Sequence, residues 1–421
     1  MADSPTQAFI LAHRGDDTRM LALQAPRHPD VDMAFAIDQI KGWQTARTKL
    51  PSWASCEAIT YPPHLALEQC SSEQTACYKA SLCQRIMGGR GEDRRILADL
   101  TGGMGVDFSF LAPFFSQAYY IERQHTLCEL ARHNFQVLRL DHAVVMEADS
   151  IEVLDSLPHL DLLFIDPARR NTHGGRTFAI SDCSPNILPH LPKMLEKAHH
   201  VMVKLSPMLD WHETLKSLDS TCPGCVRELH IVATSNECKE LLAWLSAQPS
   251  TNTTLCCTND QQVFTTTTEA ECEAGATPCI DSAEEVEKAT WLYEPNAAIM
   301  KGGCFASLAR QHSLRAIAPN SHLFVAAEHI PMFPGRVMRI TATTSMNKKQ
   351  LRETLSNITQ ANITTRNFPL TADQLRKRLH LRDGGDTYLF ATTTTDRQHL
   401  VILCKKEPIS TNSKTLQFHS K

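Results

Sequence analysis

The sequence contains no long apolar run. Although 42% of its 421 residues are hydrophobic, no stretch approaches the roughly 18 consecutive apolar residues of a membrane-spanning helix. Residues 1–5 also lack the basic-then-apolar order with which a secretion signal begins. We therefore expect a cytoplasmic protein that does not bind membranes and is long enough for two or three domains with sizeable cores.

The cysteines lack the regular spacing of a disulfide framework. There are 15, an odd number, and cysteines of a cytoplasmic protein are mostly reduced and buried as small hydrophobic residues. One pair, Cys222 and Cys225, has the C-x-x-C spacing of half a zinc site or of a redox dithiol. No second C-x-x-C and no paired histidines complete a tetrad, and the intervening Pro-Gly forms a turn without metal. We favour the turn and predict no metal site, and the sequence leaves metal binding by this pair open.

A glycine-rich turn joins a buried strand to a helix within residues 96–107. The dinucleotide-binding pattern G-x-G-x-x-G has a third glycine that packs the helix on the sheet. This chain has Gly102, Gly103 and Gly105, but it lacks the last glycine of that pattern, the one within the helix. The strand ends at Asp99, whose carboxylate would repel a diphosphate but attract a cationic amino group. S-adenosylmethionine (SAM) carries such a group, and we predict it as the cofactor.

Two further strands end in acidic residues. Glu122 follows a strand at 118–121 and lies 23 positions after Asp99, close to the spacing of about 20 at which a carboxylate meets ribose hydroxyls in nucleoside-binding βαβ units. Asp149 follows a strand at 143–146, where an acid commonly faces adenine. Each feature alone has an ordinary explanation, as a tight turn or a charge at a helix start, but their order and spacing agree. The predicted cofactor contacts are Asp99, Thr101, Gly102, Gly103, Gly105, Asp107, Glu122, Arg123, Asp149 and Ser150.

On these residues, the segment 95–248 resembles the class I SAM-dependent methyltransferases. Strands expected near 96–100, 118–121, 143–147, 162–166, 199–205, 226–234 and 261–267 alternate with helices. This alternation predicts an α/β fold with a Rossmann-like, doubly wound and mainly parallel sheet. Residues 1–90 are expected to form an N-terminal helical region, because apolar residues recur there at helical spacing.

The chemistry is expected after the fourth strand, because ligands of an open α/β sheet collect at the carboxyl ends of its strands. Asp166 and Pro167 stand there, followed by Ala168 and Arg169. Amino-group methyltransferases of nucleic acids have Asp/Asn-Pro-Pro and an aromatic residue here, and this resemblance implies that Asp166 orients an exocyclic amine towards the methyl group. Ala168 and Arg169 depart from that motif, although a guanidinium plane also stacks on bases or binds phosphate. We predict Asp166, Pro167 and Lys204 as catalytic residues and Arg169 and Arg170 as substrate contacts.

A second pattern runs along the same strands. Lys79, Asp166, Lys204 and Glu228 occur in the order of the Lys-Asp-Lys-Glu tetrad of ribosomal RNA ribose 2′-O-methyltransferases. In that resemblance a lysine with a depressed pKa helps to deprotonate the hydroxyl. The alternative is that Lys204 binds the substrate or its phosphate, and we favour it.

A segment upstream of the first strand resembles a cofactor-lining motif. Residues 67–73 resemble the Leu-Glu-Gln-x-x-Thr-Pro stretch that lines the methionine end of SAM in ribosomal RNA adenine-N6 methyltransferases and related enzymes. They depart from it at Ser72 and Glu73. Ser71 or Ser72 also suits the cap of the following helix, and the two roles are compatible. We add Gln69 and Ser72 to the predicted cofactor contacts.

The charge is unevenly distributed. Residues 331–421 contain 15 Lys and Arg against 6 Asp and Glu, which gives +9, whereas the first 330 residues carry −13. The cations cluster on two helix-favouring segments, which suits a phosphate backbone, although such runs are often only solvated. The predicted substrate contacts here are Lys348, Lys349, Arg376 and Arg378.

Two more segments extend the resemblance to nearly the whole chain. Residues 291–301 and 379–390 are similar to a bacterial family of class I methyltransferases with a ferredoxin-like insert and a C-terminal THUMP-like domain. THUMP domains accompany RNA-modifying enzymes and bind RNA, so the resemblance implies an RNA substrate. The expected domains are 1–90 (helical), 91–270 (methyltransferase), 271–330 (linker and ferredoxin-like module) and 331–421 (basic THUMP-like module).

We therefore predict a SAM-dependent methyltransferase, similar in its catalytic domain to RNA guanine-N2 and adenine-N6 methyltransferases, that acts on an exocyclic base amine of tRNA or rRNA. The first alternative is a ribose 2′-O-methyltransferase that uses Lys79, Asp166, Lys204 and Glu228. The second is a non-catalytic RNA-binding module on a methyltransferase fold. A methyltransferase of small molecules or proteins agrees less well with the basic C-terminal region.

Overall fold

The computed structural model describes residues 4–62, 64–88, 95–169 and 179–406. The chain divides into a first unit, residues 1–234 and 239–253, and a second unit, residues 235–238 and 254–421. No helix of the described ranges is both long enough and apolar enough to span a membrane.

The first unit begins with six helices, as predicted for the N-terminal region. They are α1 (Ser4–Ala12), α2 (Thr18–Leu23), α3 (Met33–Lys49), α4 (Pro51–Ala54), α5 (His64–Gln69) and α6 (Glu73–Met87). Local sequence sets their ends: the Asp32 carboxylate caps α3 by accepting from the Phe35 amide (3.1 Å), and Pro51 occupies the first turn of α4. Apolar residues of α1, α2 and α3 form a small core of their own around Ile40.

The rest of the first unit is an α/β structure. Its strands are β1 (Ile96–Asp99), β2 (Gln117–Glu122), β3 (Ala143–Glu147), β4 (Leu160–Ile165), β5 (Ala168–Arg169), β6 (Cys183–Ser184), β7 (Ala198–Leu205), β8 (Val226–Thr234) and β9 (Glu237–Ser246), and its helices are α7 (Val106–Leu111), α8 (His125–Val137), α9 (Leu191–Lys197) and α10 (Trp211–Thr221). β5 and β6 pair with each other in a small antiparallel sheet of their own, and the other strands form the main sheet. Short 3-10 turns lie at Ala25–Arg27, Ala112–Phe114, Glu152–Asp155, Ile180–Asp182 and Leu188–His190.

The strand order explains where a ligand can bind. Seven strands of the first unit lie side by side in the order β3-β2-β1-β4-β7-β9-β8. β1 lies parallel to both β2 and β4, β3 and β7 continue the parallel run outwards, and β9 runs antiparallel to β7. The chain leaves β1 in one direction and returns to its other side at β4, which makes this the switch point where the carboxyl ends of parallel strands leave a crevice. This is the predicted doubly wound Rossmann-like fold.

One strand of the first unit was not predicted. The strand expected near 261–267 is present, at Gln262–Thr267, but the chain forms an additional strand, β9, directly after β8. Ser235 and Asn236 join the two strands and both have positive φ (51° and 61°), which is the conformation of a tight two-residue hairpin turn. Neither residue is the glycine that usually marks such a turn, so the apolar run of β9 was not recognised as a returning strand.

The second unit is an α+β structure, as predicted. Its helices are α11 (Thr268–Ala274), α12 (Ala283–Lys288), α13 (Ala297–Gly302), α14 (Phe305–Gln311), α15 (Lys348–Thr354) and α16 (Ala372–Leu379). Its strands are β10 (Thr254–Asn259), β11 (Gln262–Thr267), β12 (Trp291–Pro295), β13 (Arg315–Ala316), β14 (Phe324–Ala326), β15 (Gly335–Ser345), β16 (Asn362–Arg366), β17 (Thr387–Thr393) and β18 (His399–Lys405). β10 and β11 form an antiparallel hairpin.

The other seven strands of this unit form one sheet in the order β13-β14-β12-β15-β18-β17-β16. Alternate residues of β17 face opposite sides of it: Phe390 packs in a core with Val286 of α12, and Leu389 packs in another with Leu351 of α15 and Leu375 of α16. The predicted modules 271–330 and 331–421 therefore both contribute strands to this sheet.

A buried glutamate crosslinks the same sheet. Glu294 of β12 is 4% exposed. It accepts hydrogen bonds from Arg336 Nε of β15 (2.6 Å) and from Arg366 Nη2 of β16 (3.1 Å). The two arginine side chains are 44% and 36% exposed, so the carboxylate is neutralised from the solvent side.

Candidate active site

A cavity of about 340 Å³ opens at the carboxyl ends of the parallel strands of the first unit, within the usual range of roughly 300–1,000 Å³ for small-molecule sites. It lies at the switch point between β1 and β4. The predicted residues that line it are Gln69, Asp99, Thr101, Gly102, Gly103, Gly105, Asp107, Glu122, Arg123, Asp149, Ser150, Asp166 and Lys204. Residues predicted from six separate parts of the sequence thus meet in one cavity.

The glycine turn is shaped by two aromatic rings beneath it. A Cβ atom at Gly102 would lie 2.2 Å from the Tyr120 ring, and one at Gly105 would lie 2.9 Å from the Phe135 ring. Gly105 also has φ +82°, which other residues rarely adopt. The Tyr120 hydroxyl donates a hydrogen bond to the carbonyl of Gly103. Close packing therefore requires these glycines and exposes the backbone of the turn to the cavity.

Glu122 connects the end of β2 to this turn. Its carboxylate is buried and accepts from the amides of Gly103 (3.0 Å) and Gln124 (2.9 Å). Both interactions are made with backbone, so the side chain is held in place without a cation. The remaining lone pairs of the carboxylate are available to hydroxyl groups of a ligand.

Asp99 is the most enclosed of the three acids at the strand ends. It is 1% exposed, and one carboxylate oxygen accepts from the Thr101 amide (2.9 Å). Burial raises the pKa of Asp99 well above its usual range, and the Thr101 hydrogen bond only partly opposes this. Asp149 accepts from the Ile151 amide (2.9 Å). Within the described part of the chain, none of Asp99, Glu122 and Asp149 pairs with a lysine or arginine.

Five charged groups meet where the crevice reaches β7, and we call them the charge cluster: Lys79, Asp107, Asp166, Lys204 and Glu240. Lys204 Nζ lies 2.5 Å from an Asp166 oxygen and 3.5 Å from an Asp107 oxygen. Asp166 is 36% exposed on its side chain and Lys204 only 12%. Asp166 is also positioned through its backbone, because its amide donates to the Thr101 hydroxyl (2.7 Å).

The other half of the charge cluster lies deeper. Lys79 of α6 is fully buried, and its Nζ lies 2.7 and 2.8 Å from the two Glu240 oxygens and 3.2 Å from an Asp107 oxygen. Ser71 donates to the second Asp107 oxygen (2.7 Å). Asp107 thus lies between the two lysines and links the enclosed pair Lys79–Glu240 to the cavity pair Lys204–Asp166.

The charge cluster fixes the protonation state of Lys204. Burial lowers the pKa of Lys204, but the carboxylates of Asp166 and Asp107 outweigh it and hold the pKa above its ordinary value. Burial likewise raises the pKa of Asp107, but Lys79 and Lys204 outweigh this and lower it. Lys204 is therefore an ammonium cation and not a base at neutral pH.

The structure brings together three members of the predicted tetrad, Lys79, Asp166 and Lys204, but not the fourth. Glu228 instead accepts from Arg85 Nη1 (3.0 Å) and contacts His230 Nε2 (2.9 Å). Its place beside Lys79 belongs to Glu240, which the sequence analysis missed because β9 was not recognised. An acidic residue directly before the apolar run 241–245 was the available signal.

Other predicted residues have different positions. Ser72 caps α6 by accepting from the Thr75 amide (3.3 Å) and is not part of the cavity lining, whereas Gln69 is. Pro167, the residue after Asp166, is buried. Arg170 and the side chain of Arg169 lie outside the described residues, so their predicted substrate contacts stay predictions.

The basic residues of the second unit divide into two kinds. Lys348, Lys349 and Arg378 are exposed on α15 and α16. Arg376 is 23% exposed and donates to Asp373 (2.6 Å) and Asp383 (2.7 Å), so its charge is already paired within the unit. The exposed residues remain candidates for phosphate contacts.

The C-x-x-C segment forms a turn. The Cys225 amide donates to the Cys222 carbonyl (3.1 Å), and Gly224 between them has φ +70°. Burial raises the pKa of Cys225 to about 12 and raises that of Cys222 as well. The segment thus adopts the turn that its Pro-Gly pair favours.

Comparisons with known proteins agree with this architecture. Residues 291–334 match the model of a ferredoxin-like domain family, and residues 335–406 match that of a THUMP domain-like family. A solved structure from Porphyromonas gingivalis W83, described as a "putative methyltransferase", is 31% identical with a TM-score of 0.81, over 96% of this chain and 98% of its own. The chain belongs to this methyltransferase family. It is thus a class I methyltransferase with ferredoxin-like and THUMP-like domains, and its cofactor is SAM.

More distant structures align only with part of this methyltransferase. A SAM-dependent methyltransferase of Agrobacterium tumefaciens is 13% identical over 43% of this chain and 64% of its own, with a TM-score of 0.32. An rRNA methylase of Streptococcus thermophilus is 12% identical over 41% of this chain and 95% of its own, with a TM-score of 0.31. At these identities and TM-scores, the two structures give no information on the activity or substrate of this chain. A search of curated proteins gives no match.

Proposed function

We propose that this methyltransferase transfers the methyl group of SAM to an exocyclic amine of an RNA base, guanine N2 or adenine N6. The observation that carries the proposal is the position of Asp166. Its carboxylate stands at the cavity, about one third exposed, and is held by the Lys204 ammonium, while the backbone amide of Asp166 donates to the Thr101 hydroxyl. A fixed acceptor beside the cofactor site suits a nucleophile that carries N–H donors.

The cavity lining fits SAM. Asp99, Glu122 and Asp149 supply three carboxylates with no lysine or arginine partner in the described ranges, and a cationic ligand with hydroxyl groups complements such a set. In the proposed mode Glu122 binds the ribose hydroxyls, Asp149 faces the adenine, and the exposed turn backbone at Gly103 lies against the ligand. When bound, SAM supplies an electrophilic methyl group on a sulfonium.

The contribution of the protein to transfer is orientation. One oxygen of Asp166 is engaged by Lys204, and the other has no hydrogen-bond donor among the described residues and can accept an N–H of the incoming amine. An acceptor at this place directs the nitrogen lone pair at the methyl group, and such positioning accounts for much of the rate of a bimolecular transfer. Lys204 keeps the Asp166 side chain in one orientation. Asp107 and Lys79 hold Lys204 in turn.

The ribose 2′-hydroxyl alternative has less support. It requires a lysine that takes up the hydroxyl proton, and such a base needs a depressed pKa. The pKa of Lys204 is raised by Asp166 and Asp107, and Glu228 is engaged by Arg85. An amine needs no base before attack, because its lone pair is available once it is oriented.

RNA as the substrate is supported by the second unit. Lys348, Lys349 and Arg378 are exposed cations on the two helices that cover one face of the THUMP-like sheet. Exposed lysine and arginine side chains contact phosphates in an RNA complex. Arg169 and Arg170, which follow Asp166 by three and four positions in sequence, are proposed to bind the substrate next to the reacting base.

The test is transfer of tritium from labelled SAM to total RNA of cells that lack this protein, followed by nucleoside digestion and mass identification. Wild-type protein is expected to yield a base-methylated guanosine or adenosine. A ribose-methylated product would contradict the amine assignment. No incorporation, with SAM binding intact by calorimetry, would contradict RNA methylation and favour a non-RNA substrate or a non-catalytic RNA-binding module.

A further inference from the structure

A second cavity of the first unit lies among the N-terminal helices. It has a volume of about 250 Å³, and we call it the N-terminal pocket. Its principal lining residues are Arg14, Phe35, Trp43, Thr60, Tyr61 and His133. None of them belongs to the cofactor cavity. Three aromatic rings and an imidazole around one small space are typical of a site for a planar ligand.

Two hydrogen-bond donors of this pocket have no partner in the described structure. The Tyr61 hydroxyl is buried without a partner, in a residue that is 5% exposed. The Nε of Arg14 is likewise buried and unpaired, while its Nη2 donates to the Glu57 carbonyl (3.4 Å). A buried polar group without a partner destabilises a fold by about 1–3 kcal/mol. Two such groups in one cavity indicate an acceptor that a ligand supplies.

Tyr61 is held firmly in this position. The Gln39 side chain donates to the Tyr61 carbonyl (2.9 Å) and accepts from its amide (2.8 Å). The ring packs on α3 at Gly42, where a Cβ would lie 2.4 Å from Tyr61 Cβ. Burial raises the pKa of Tyr61 to about 12, against a smaller opposite effect of Arg14, so the hydroxyl keeps its proton and acts as a donor.

Cations surround the aromatic surface. The guanidinium carbons of Arg14 and Arg47 each lie 5.3 Å from the centroid of the Trp43 ring. Neither arginine forms an ion pair with a carboxylate among the described residues. The Trp43 ring is itself fixed, because its Nε1 donates to the Ala54 carbonyl (3.1 Å). Glu57 also lines the pocket, so the lining carries one arginine and one glutamate, and Arg47 adds positive charge beside it. The pocket thus combines a planar apolar surface with two donors that have no partner among the described residues.

We infer that the N-terminal pocket binds one unstacked nucleotide. The base would lie against the aromatic rings, and a base carbonyl would accept from Tyr61 and Arg14 Nε. The phosphate would lie outside the pocket lining, on the side where Arg47 stands over the Trp43 ring. An unstacked base has the π-face and the acceptor edge that this lining requires, and its phosphate has the complementary charge. The base comes either from a free ribonucleotide or from single-stranded RNA. Only the second source rests on the proposed RNA substrate.

The test uses the full-length chain saturated with S-adenosylhomocysteine, so that nucleotides cannot enter the cofactor cavity. Equilibrium dialysis measures binding of each labelled ribonucleoside 5′-monophosphate and of a short single-stranded RNA of mixed sequence. Tyr61→Phe, which removes only the unpaired hydroxyl, is expected to weaken binding about three- to tenfold, and Arg14→Gln at least about tenfold. Tyr388→Phe, a half-buried tyrosine of the second unit, is the matched control and should bind as wild type does.

The outcomes distinguish a free nucleotide from a base of RNA as the ligand, and they test whether the N-terminal pocket binds either. Monophosphate binding that both pocket variants weaken identifies a free-nucleotide site, and binding of RNA alone with the same sensitivity identifies a base of RNA. Absence of binding to both probes, or binding that neither variant alters, overturns the inference. Thermal unfolding supports the interpretation of Tyr61→Phe, because loss of an unpaired hydroxyl should leave stability equal or higher. Methyl transfer is not measured, so failure here leaves the proposed activity untouched.

Discussion

Buried carboxylates are neutralised differently in the two units. In the first unit, two enclosed lysines pair with the three acids of the charge cluster, which leaves a formal charge of −1. Asp166, the most exposed member of the cluster, lies at the cavity. In the second unit, two half-exposed arginines serve the single acid Glu294, which leaves +1 on the solvent side. The first arrangement isolates one carboxylate for a ligand, whereas the second ties three strands together and leaves no acid available.

The largest expected effect tests the exposed end of the charge cluster. Asp166→Ala should lower methyl transfer by about two to four orders of magnitude, the range for loss of a group that acts on the reacting atoms. SAM affinity should stay within a few fold, because Asp166 is not among the acids assigned to the cofactor. Kinetics with labelled SAM and calorimetry measure the two quantities. Asp155→Ala removes an exposed acid of the same unit and should change neither. An active Asp166→Ala enzyme would refute the assigned chemistry.

The next prediction concerns the enclosed lysine. Lys79→Met leaves Glu240 buried without its partner and should lower the free energy of unfolding by about 3–5 kcal/mol. Urea titration measures the change. Lys216→Met, at a lysine that is 74% exposed, is the matched control with little expected effect. Equal effects of the two variants would show that enclosure of the charge cluster contributes nothing.

Glu294→Gln applies the same test to the second unit. The arginines it leaves unpaired are already in contact with water, so we expect a smaller loss of about 1–2 kcal/mol. SAM affinity should not change. A loss as large as that of Lys79→Met would contradict the distinction between an enclosed and a solvent-facing ion cluster.

A proton-linked prediction follows from Asp99. Burial raises its pKa, so in the folded protein the carboxyl keeps its proton to a higher pH than in the unfolded chain. A cationic ligand favours the ionised form, and SAM affinity should therefore fall as the pH is lowered through that pKa, by at most about tenfold per pH unit. Calorimetry in buffers of different ionisation heat should detect proton release on binding. Asp99→Asn should bind about tenfold more weakly and release no proton. Equal proton release by this variant would assign the effect to another group.

The smallest effects are expected at the surface. Replacing Lys348, Lys349 and Arg378 by Gln should weaken RNA binding several-fold and reduce the slope of log affinity against log salt by about 0.7–0.9 for each lost phosphate contact. Filter binding over a salt series measures both. Arg376→Gln should instead lower stability, because its charge is paired with Asp373 and Asp383. An unchanged slope in the triple variant would move the RNA site away from α15 and α16.

The sequence predicted best what depends on short segments. Asp99, Glu122 and Asp149 were recognisable because each ends or closely follows a strand, and neighbouring parallel strands bring their carboxyl ends together. Glu240 was not, because its pairing with Lys79 spans 161 positions and depends on a strand whose turn lacks glycine. Tyr61 and Arg14 show the same limit: neither stands in a motif, and their shared cavity exists only once α3 has packed against the segment before α5.

The Tyr120 and Phe135 rings beneath the glycine turn determine which residues of the cavity can change during evolution. Gly102 and Gly105 are required by Tyr120 and Phe135, which belong to the core, whether or not a cofactor is bound. A descendant that had lost its activity would keep these glycines as long as it kept its fold. Its strand-end acids would be under no such constraint and would be the first to drift. Among such descendants, the strand-end acids rather than the glycines would distinguish active enzymes from inactive ones.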